Sequence, residues 1–270
     1  MPESADAEPA PVAYTELAQV YDWLVRDALL DPRDAAAAYA PAAELIPERG
    51  RVLDCAAGAG QLAVGLALGG FDVTATDASP AMIVRTRELA ADHAVNLTTA
   101  VCTWDDLPAL AVPGPFDAVF CVGNSISHAP GRAPRRAALA AMAHLLSPDG
   151  ILAVAARDWE YVRAAGDRVD VQDRLLHRHG RSGIVVRAWT MGETWDDAHH
   201  LEVAIALLGD DESVTTHRER LTLWAFRRDE LLEDLAAVGL DTVFVTTFLG
   251  DGEYLVVARP SWPGRRGQTR

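Results

Sequence analysis

Two stretches of this chain carry residues that could act on one ligand. Gly58-Ala59-Gly60 follows the apolar run Arg51-Val52-Leu53-Asp54-Cys55, and Asp77 closes the next such run, Phe71 to Thr76. Glycines carry no Cβ, so the backbone can turn sharply there and approach a ligand closely. A glycine turn after one strand and a carboxylate after the next is the pattern of a nucleoside site in a parallel α/β sheet. The turn holds the ligand's tail, and the carboxylate accepts hydrogen bonds from ribose hydroxyls. The glycine turn alone leaves the ligand open, because Gly58-Ala59-Gly60-Gln61-Leu62-Ala63 also satisfies a loose dinucleotide fingerprint. Asn124, His128 and Arg157 form a second polar group, set just beyond two later apolar runs. An arginine following a strand directly lies at the carboxyl end of a sheet, where open α/β folds bind ligands. His177/His179 and His199/His200 invite a metal, but no Cys, Asp or Glu completes a zinc spacing, so no metal is expected.

These groups need a frame to hold them. Tyr14 to Leu30 has helical apolar spacing, Asp31-Pro32 interrupts it, and a second helix is predicted from about Asp34 to Ile46. Strands are predicted at Arg51–Cys55, Phe71–Thr76, Asn96–Cys102, Phe116–Val122 and Ile151–Ala156. Helices fall between them: Gln61–Leu68, a segment capped by Ser79-Pro80 and running to His93, and Ala133–Leu146. That alternation gives right-handed crossovers and a parallel sheet. From about 168 to 226 the apolar period drops to two, as in Leu201, Val203, Ile205 and Leu207, which predicts antiparallel strands. A helix from Asp229 to Val238 and two strands, Asp241–Phe248 and Tyr254–Arg259, joined by Gly250-Asp251-Gly252, complete the chain.

The expected fold class is therefore α/β: a doubly wound seven-stranded sheet with an antiparallel C-terminal hairpin, plus an inserted antiparallel β lid. The expected organisation is a disordered tail over 1–13 and a helical lid over 14–50. The nucleoside-binding domain takes 51–167 and 227–260, the inserted lid 168–226, and a second tail 261–270. At 270 residues the chain can bury a full core. The net charge of −15 argues against a nucleic-acid partner, and no apolar run approaches the roughly 18 residues that span a bilayer. Every one of the 24 cationic residues is arginine, which excludes lysine Schiff-base chemistry. Cys55, Cys102 and Cys121 read as small buried hydrophobes in a reducing cytoplasm, and a homo-oligomer is left open.

The chain resembles the class I S-adenosylmethionine-dependent methyltransferases. The resemblance rests on Val52-Leu53-Asp54-Cys55-Ala56-Ala57-Gly58-Ala59-Gly60, Asp77-Ala78-Ser79-Pro80-Ala81-Met82 and Phe116-Asp117-Ala118-Val119-Phe120, with the closing hairpin. Cys121-Val122-Gly123-Asn124-Ser125-Ile126-Ser127-His128 and Ala156-Arg157-Asp158-Trp159-Glu160-Tyr161 narrow it to the glycine and glycine/sarcosine N-methyltransferases. One departure is Ala59, where that family usually has Thr between the glycines. The resemblance implies S-adenosyl-L-methionine as cofactor and S-adenosyl-L-homocysteine as product. It implies that Asp77 holds the ribose, that Met82 packs on adenine, and that Thr103 and Trp104 close over the ring edge. Ala56 and Val122 present carbonyls to the ammonium, with Asp54, Gly58 and Gly60 in the same loop motif. Arg33 takes the cofactor carboxylate and Tyr21 covers the donor. Asn124 and His128 lie beside the methyl, and Arg157 grips an anionic small-molecule acceptor, best matched by an amino acid or related amine.

Two other readings remain. The same fold could methylate carbon or oxygen, for instance on a prenyl diphosphate or a natural-product scaffold, and carbon methylation would need a base such as Asp158, Glu160 or Asp170. A non-catalytic module that binds a nucleoside and a protein partner is the other.

Overall fold

The computed structural model describes residues 12–110, 114–209, 211–247, 250 and 252–261. The expected tails therefore lie, except for 12, 13 and 261, outside the described residues, as do Pro113, Phe248 and Asp251.

The first half of the chain alternates as its apolar pattern requires. After the short helices α1 (Pro32–Ala38) and α2 (Ala40–Ala43) come β1 (Arg51–Cys55), α3 (Gln61–Leu68), β2 (Asp72–Asp77), α4 (Pro80–Asp92) and β3 (Thr98–Val101). Next are β4 (Phe116–Cys121), α5 (Arg132–His144), β5 (Leu146–Arg157) and α6 (Trp159–Ala164). An antiparallel group follows: β6 (Arg168–Val171), β7 (Leu176–Arg178), β8 (Arg181–Thr190), β9 (Ala198–Leu208) and β10 (Val214–Trp224). The chain then returns through α7 (Arg228–Ala237), β11 (Leu240–Thr247) and β12 (Glu253–Pro260).

The large sheet has seven strands in the order β11-β12-β5-β4-β1-β2-β3. β1 to β5 pair in parallel, and β12 lies antiparallel between β5 and β11. Both faces are buried, which is why its central strands read as continuous apolar runs. Val52, Phe120 and Leu255 point to one core with Leu62 and Leu66 of α3. Leu53, Val119 and Val154 point to the other, shared with α5, α7 and inward residues of the second sheet such as Val203 and Ile205. That second sheet, in the order β10-β9-β8-β6 with β7 also on β8, is the predicted insertion.

Three predicted elements differ, the first being the strand expected from Ile151, which begins at Leu146 where the preceding helix was expected to end. Tyr14 to Leu30 is not one α-helix; it carries 3₁₀ turns at Ala18–Trp23 and Asp27–Leu29, with Val20 at φ −120°. Tertiary bonds override its helical spacing. Glu219 of β10 accepts the backbone N–H groups of Tyr14, Glu16 and Leu17, the last two at 3.1 Å, while Leu17, Val20 and Trp23 are buried. The helix expected at 34–46 starts earlier, at Pro32 behind an Asp31 cap, and breaks at Tyr39 ahead of Pro41. Proline lacks an N–H and disfavours helical backbone before it.

Candidate functional site

The carboxyl ends of β1 and β4 open into a cavity beside the N-terminal segment and the second sheet. Tyr21, Asp54, Ala56, Gly58, Val122 and Arg157 all line it.

Asp54, at the end of β1, is fully buried, and neither carboxylate oxygen has a hydrogen-bond partner. Burial, with Asp77 nearby, pushes its pKa up to about 7; the Ala63 N–H, short of hydrogen-bond geometry, pulls the other way by less. A buried carboxylate with both oxygens unmet is costly unless a cation or donor arrives to meet it. The loop beyond is held open by its own backbone. Ala56, Gly58 and Gly60 have φ of 88°, 57° and 91°, and the N–H groups of Ala56 and Ala57 both bond to the Thr76 carbonyl. A Cβ on Gly60 would lie 2.8 Å from Thr86 Cγ2. Thr86 in turn donates its hydroxyl to the Gly58 carbonyl at 2.8 Å. Ala59 is buried beneath the loop.

Asp77 is tied to this loop. One oxygen accepts the Gly58 N–H at 2.9 Å and the other the Ser79 N–H at 2.8 Å. Burial raises its pKa against those two bonds. A carboxylate oxygen has more than one lone pair, so each retains capacity for a ligand hydroxyl. Met82 is buried at the start of α4, with its N–H toward Ser79 Oγ at 3.4 Å. Thr103 is exposed and donates to Asp106 at 2.7 Å, and Trp104 is half-buried against the main core. These last residues, like Asp77 and Gly60, are not part of the cavity wall.

Asn124 and His128 do not line the cavity. Asn124, at φ 66°, donates to Ser127 Oγ at 2.7 Å and accepts the Arg157 N–H at 3.0 Å, so it joins the ends of β4 and β5. Burial is the main cause that pushes His128 down to about 4, and Arg157 adds to it, so the ring is neutral at pH 7. It meets the Tyr14 ring edge-on at 5.7 Å, and Tyr14 meets Tyr21 at 5.4 Å. Arg33 is exposed at the start of α1, away from the cavity, whereas Arg26 lines it and pairs with Glu253 at 2.8 Å.

Arg157 has an unexpected companion. Arg187 lines the same cavity, and neither has a carboxylate in ion-pair range among the described residues. Arg157 stacks on Trp189 at 5.1 Å, and its Nε is buried without a partner. Burial, then repulsion from Arg157, lowers the pKa of Arg187. The signal for Arg187 was present in the sequence. It shares a strand face with buried Val185 and Trp189, so it is an arginine on an inward face. Tyr14 and Glu219 gave no such local signal. The proposed carbon-methylation bases lie elsewhere: Asp158 caps α6, and Asp170 bonds Arg168 and Trp189 Nε1. The histidine pairs are also dispersed. His199 contacts Arg163, His177 contacts Ser182 and His179 contacts Asp22. Among the described residues no group of three potential ligands is assembled, and no helix is long and apolar enough to cross a membrane.

Residues 52–150 match the family model described as a methyltransferase domain. The glycine/sarcosine N-methyltransferase of Parasynechococcus marenigrum (strain WH8102) is 36% identical over 127 residues, 46% of this chain and 45% of that protein. The chain thus matches about half the length of that curated relative. A crystal structure of a S-adenosylmethionine-dependent methyltransferase from Clostridium acetobutylicum superposes with a TM-score of 0.75 at 14% identity, covering 92% of this chain and 99% of the other. A SAM-bound amino pentose methyltransferase from Micromonospora echinaspora gives 0.70 at 22% identity, covering 93% and 100%. The chain has the class I fold of the S-adenosylmethionine-dependent methyltransferases. The part that matches the methyltransferase-domain model, residues 52–150, runs from β1 to the start of β5 within that fold. The cavity fits the cofactor of that class: the orphaned Asp54 carboxylate suits an ammonium, and the glycine loop leaves room for a close backbone approach.

Proposed function

We propose that this protein transfers a methyl group from S-adenosylmethionine to the nitrogen of a small amine that also bears an anionic group. One observation carries the reading. The unpaired guanidiniums of Arg157 and Arg187 face the same cavity as the orphaned Asp54 carboxylate, so a site for a cation and a site for an anion share one enclosure.

In this reading Asp54, with the carbonyls of Ala56 and Val122, receives the cofactor's ammonium, Gly58 and Gly60 shape the loop beneath it, and Asp77 takes the ribose. Met82, Thr103 and Trp104 border the adenine. Arg26 replaces Arg33 as the group nearest the cofactor's carboxylate, since it lines the cavity and Arg33 does not. When bound, the cofactor supplies a methyl already activated on a sulfonium. The chain must then align a lone pair and exclude water, which is catalysis by proximity. Tyr14 and Tyr21 cover the site; neutral His128 supports Tyr14, and Asn124 holds Arg157 in place through its backbone. Arg157 and Arg187 fix the acceptor's anion and leave its amine facing the methyl.

Nitrogen is favoured because a neutral amine needs little help from a base. The cavity's other carboxylate, Glu253, is paired with Arg26. The curated relative is named an N-methyltransferase and one structural neighbour an amino pentose methyltransferase, so both amino acids and amino sugars belong in the test. The full chain incubated with methyl-labelled S-adenosylmethionine should label amines bearing carboxylate or phosphate in preference to their neutral analogues. Labelling of neutral amines at equal rates would overturn the anionic reading, and no labelling of any amine would overturn the transfer to nitrogen.

A further inference from the structure

A second cavity adjoins the first and shares Arg26, Arg157, Arg187 and Glu253 with it. Its remaining charged lining is Arg174, Arg178 and Asp27. Glu253 serves Arg26 at 2.8 Å, while Asp27 is divided between Arg174, at 3.0 Å, and Arg178. Five guanidiniums therefore meet two carboxylates in one concave lining. The excess is partly sequestered. The side chain of Arg178 is only 12% exposed, and the Nε atoms of Arg178 and Arg157 are both buried with no partner.

Like charges gathered away from water repel one another, and each orphaned N–H adds its own desolvation cost. Guanidinium forks satisfy that cost with anionic oxygens, and several forks around one space suit a group whose oxygens radiate in several directions. A carboxylate brings one charge and two oxygens. A phosphate monoester brings about −1.5 to −2 and three oxygens. We infer that the second cavity is a subsite for a phosphate or diphosphate group of the acceptor, whose amine end reaches past Arg157 and Arg187 toward the cofactor's methyl in the first cavity. This rests on the acceptor reading above and narrows it from an amine with an anion to a phosphorylated amine.

The test is calorimetry on the full chain with pyrophosphate, inorganic phosphate and acetate, each with and without saturating S-adenosylhomocysteine. Pyrophosphate should bind most tightly and acetate least. Arg178→Gln should weaken pyrophosphate by about 10- to 150-fold and leave S-adenosylhomocysteine binding intact. Because Arg178 helps seat Asp27, a melting curve accompanies that variant, and Arg174→Glu, at a side chain 69% exposed, provides a second reading. Pyrophosphate affinity unchanged in Arg174→Glu, or in a folded Arg178→Gln, overturns the subsite, as does pyrophosphate binding no better than acetate. The two readings fail separately. Loss of S-adenosylhomocysteine binding with pyrophosphate retained sinks methyl transfer and keeps the subsite; the reverse keeps methyl transfer and sinks the subsite.

Discussion

At the β1–β2 end of the cavity the glycine loop and neighbouring Asp77 are held by backbone, whereas at the inserted-sheet end the polar groups are held by packing. Asp77 is fixed by two N–H groups from its own neighbourhood, and the loop is fixed by two N–H groups on the Thr76 carbonyl. Arg157 leans on the Trp189 ring, and Arg187 reaches only the Leu24 carbonyl, at 3.5 Å. One end is thus built from residues within a single β-α-β segment, and the other from β5, β8 and the N-terminal segment. Such a division lets the second end change its ligand while the first keeps its geometry. Perturbations at the two ends should therefore separate in binding experiments.

The largest effect is expected where a charge loses its ligand. Arg157→Met should lower kcat/KM for an anionic acceptor by about 2–5 kcal/mol, or roughly 30- to 4000-fold. Binding of S-adenosylhomocysteine, measured by calorimetry, should change far less, because Arg157 makes no contact assigned to the cofactor, although the two share one cavity. Equal losses at both ends would break the division. Arg157→Lys sharpens it: charge remains but the planar fork goes, so acceptor KM should rise and kcat fall by misplacement of the amine.

Next is Asp77→Ala. It removes two charge-assisted bonds that order the loop and the acceptor oxygens for ribose, so S-adenosylhomocysteine affinity should fall by about 2–3 kcal/mol, or 30- to 150-fold. Acceptor KM, once cofactor is saturating, should hardly move. An unchanged cofactor affinity would remove ribose binding from this residue.

Gly60→Ala should cost about 1–2 kcal/mol of stability for the left-handed backbone alone, since φ is 91°. The contact with Thr86 Cγ2 adds to that. Thr86→Ser keeps the hydroxyl that bonds the Gly58 carbonyl and deletes the methyl. In a double-mutant cycle by chemical denaturation, Ser should relieve the closest contact and leave the backbone term together with the 3.0 Å approaches to Cα and Oγ1 of residue 86. If it relieves nothing, the close approach is not what demands glycine.

What could be read in advance follows the same division. The order of strands and helices, the closing hairpin and the glycine turn after β1 were legible because each depends on short-range signals: apolar period, Ser79-Pro80 at a helix start, glycines at a turn. The Tyr14–Leu30 segment was not, because its backbone is satisfied by Glu219, about two hundred residues away in sequence. Arg26 and Arg187 escaped for a related reason. Nothing local distinguishes an arginine that turns to solvent, as Arg33 does, from one that turns into a cavity. Only the strand period around Arg187, with Val185 and Trp189 buried on its face, carried that information.

The smallest effect tests the cation site directly through pH. Asp54 has its pKa raised to about 7, mainly by burial, from an ordinary 3.8. In the free protein the folded state therefore binds a proton more readily than the unfolded chain. Stability from this group falls as pH rises from about 4 to about 7 and is level above that, where both states are ionised. A cationic ligand reverses the preference, because an ammonium favours the ionised carboxylate. S-adenosylhomocysteine must then expel a proton at pH 6 but less often at pH 7, so its affinity should rise by about fivefold over that interval. His128 does not titrate there, since it is neutral above about 4. Asp54→Asn should remove most of the rise and bind more weakly at pH 7, while gaining stability at that pH because the buried charge is gone. Calorimetry at several pH values with matched melting curves reads both. A slope that survives in Asp54→Asn would assign the proton to another group, with Asp77 the next to examine, and would leave the orphaned carboxylate without its ammonium.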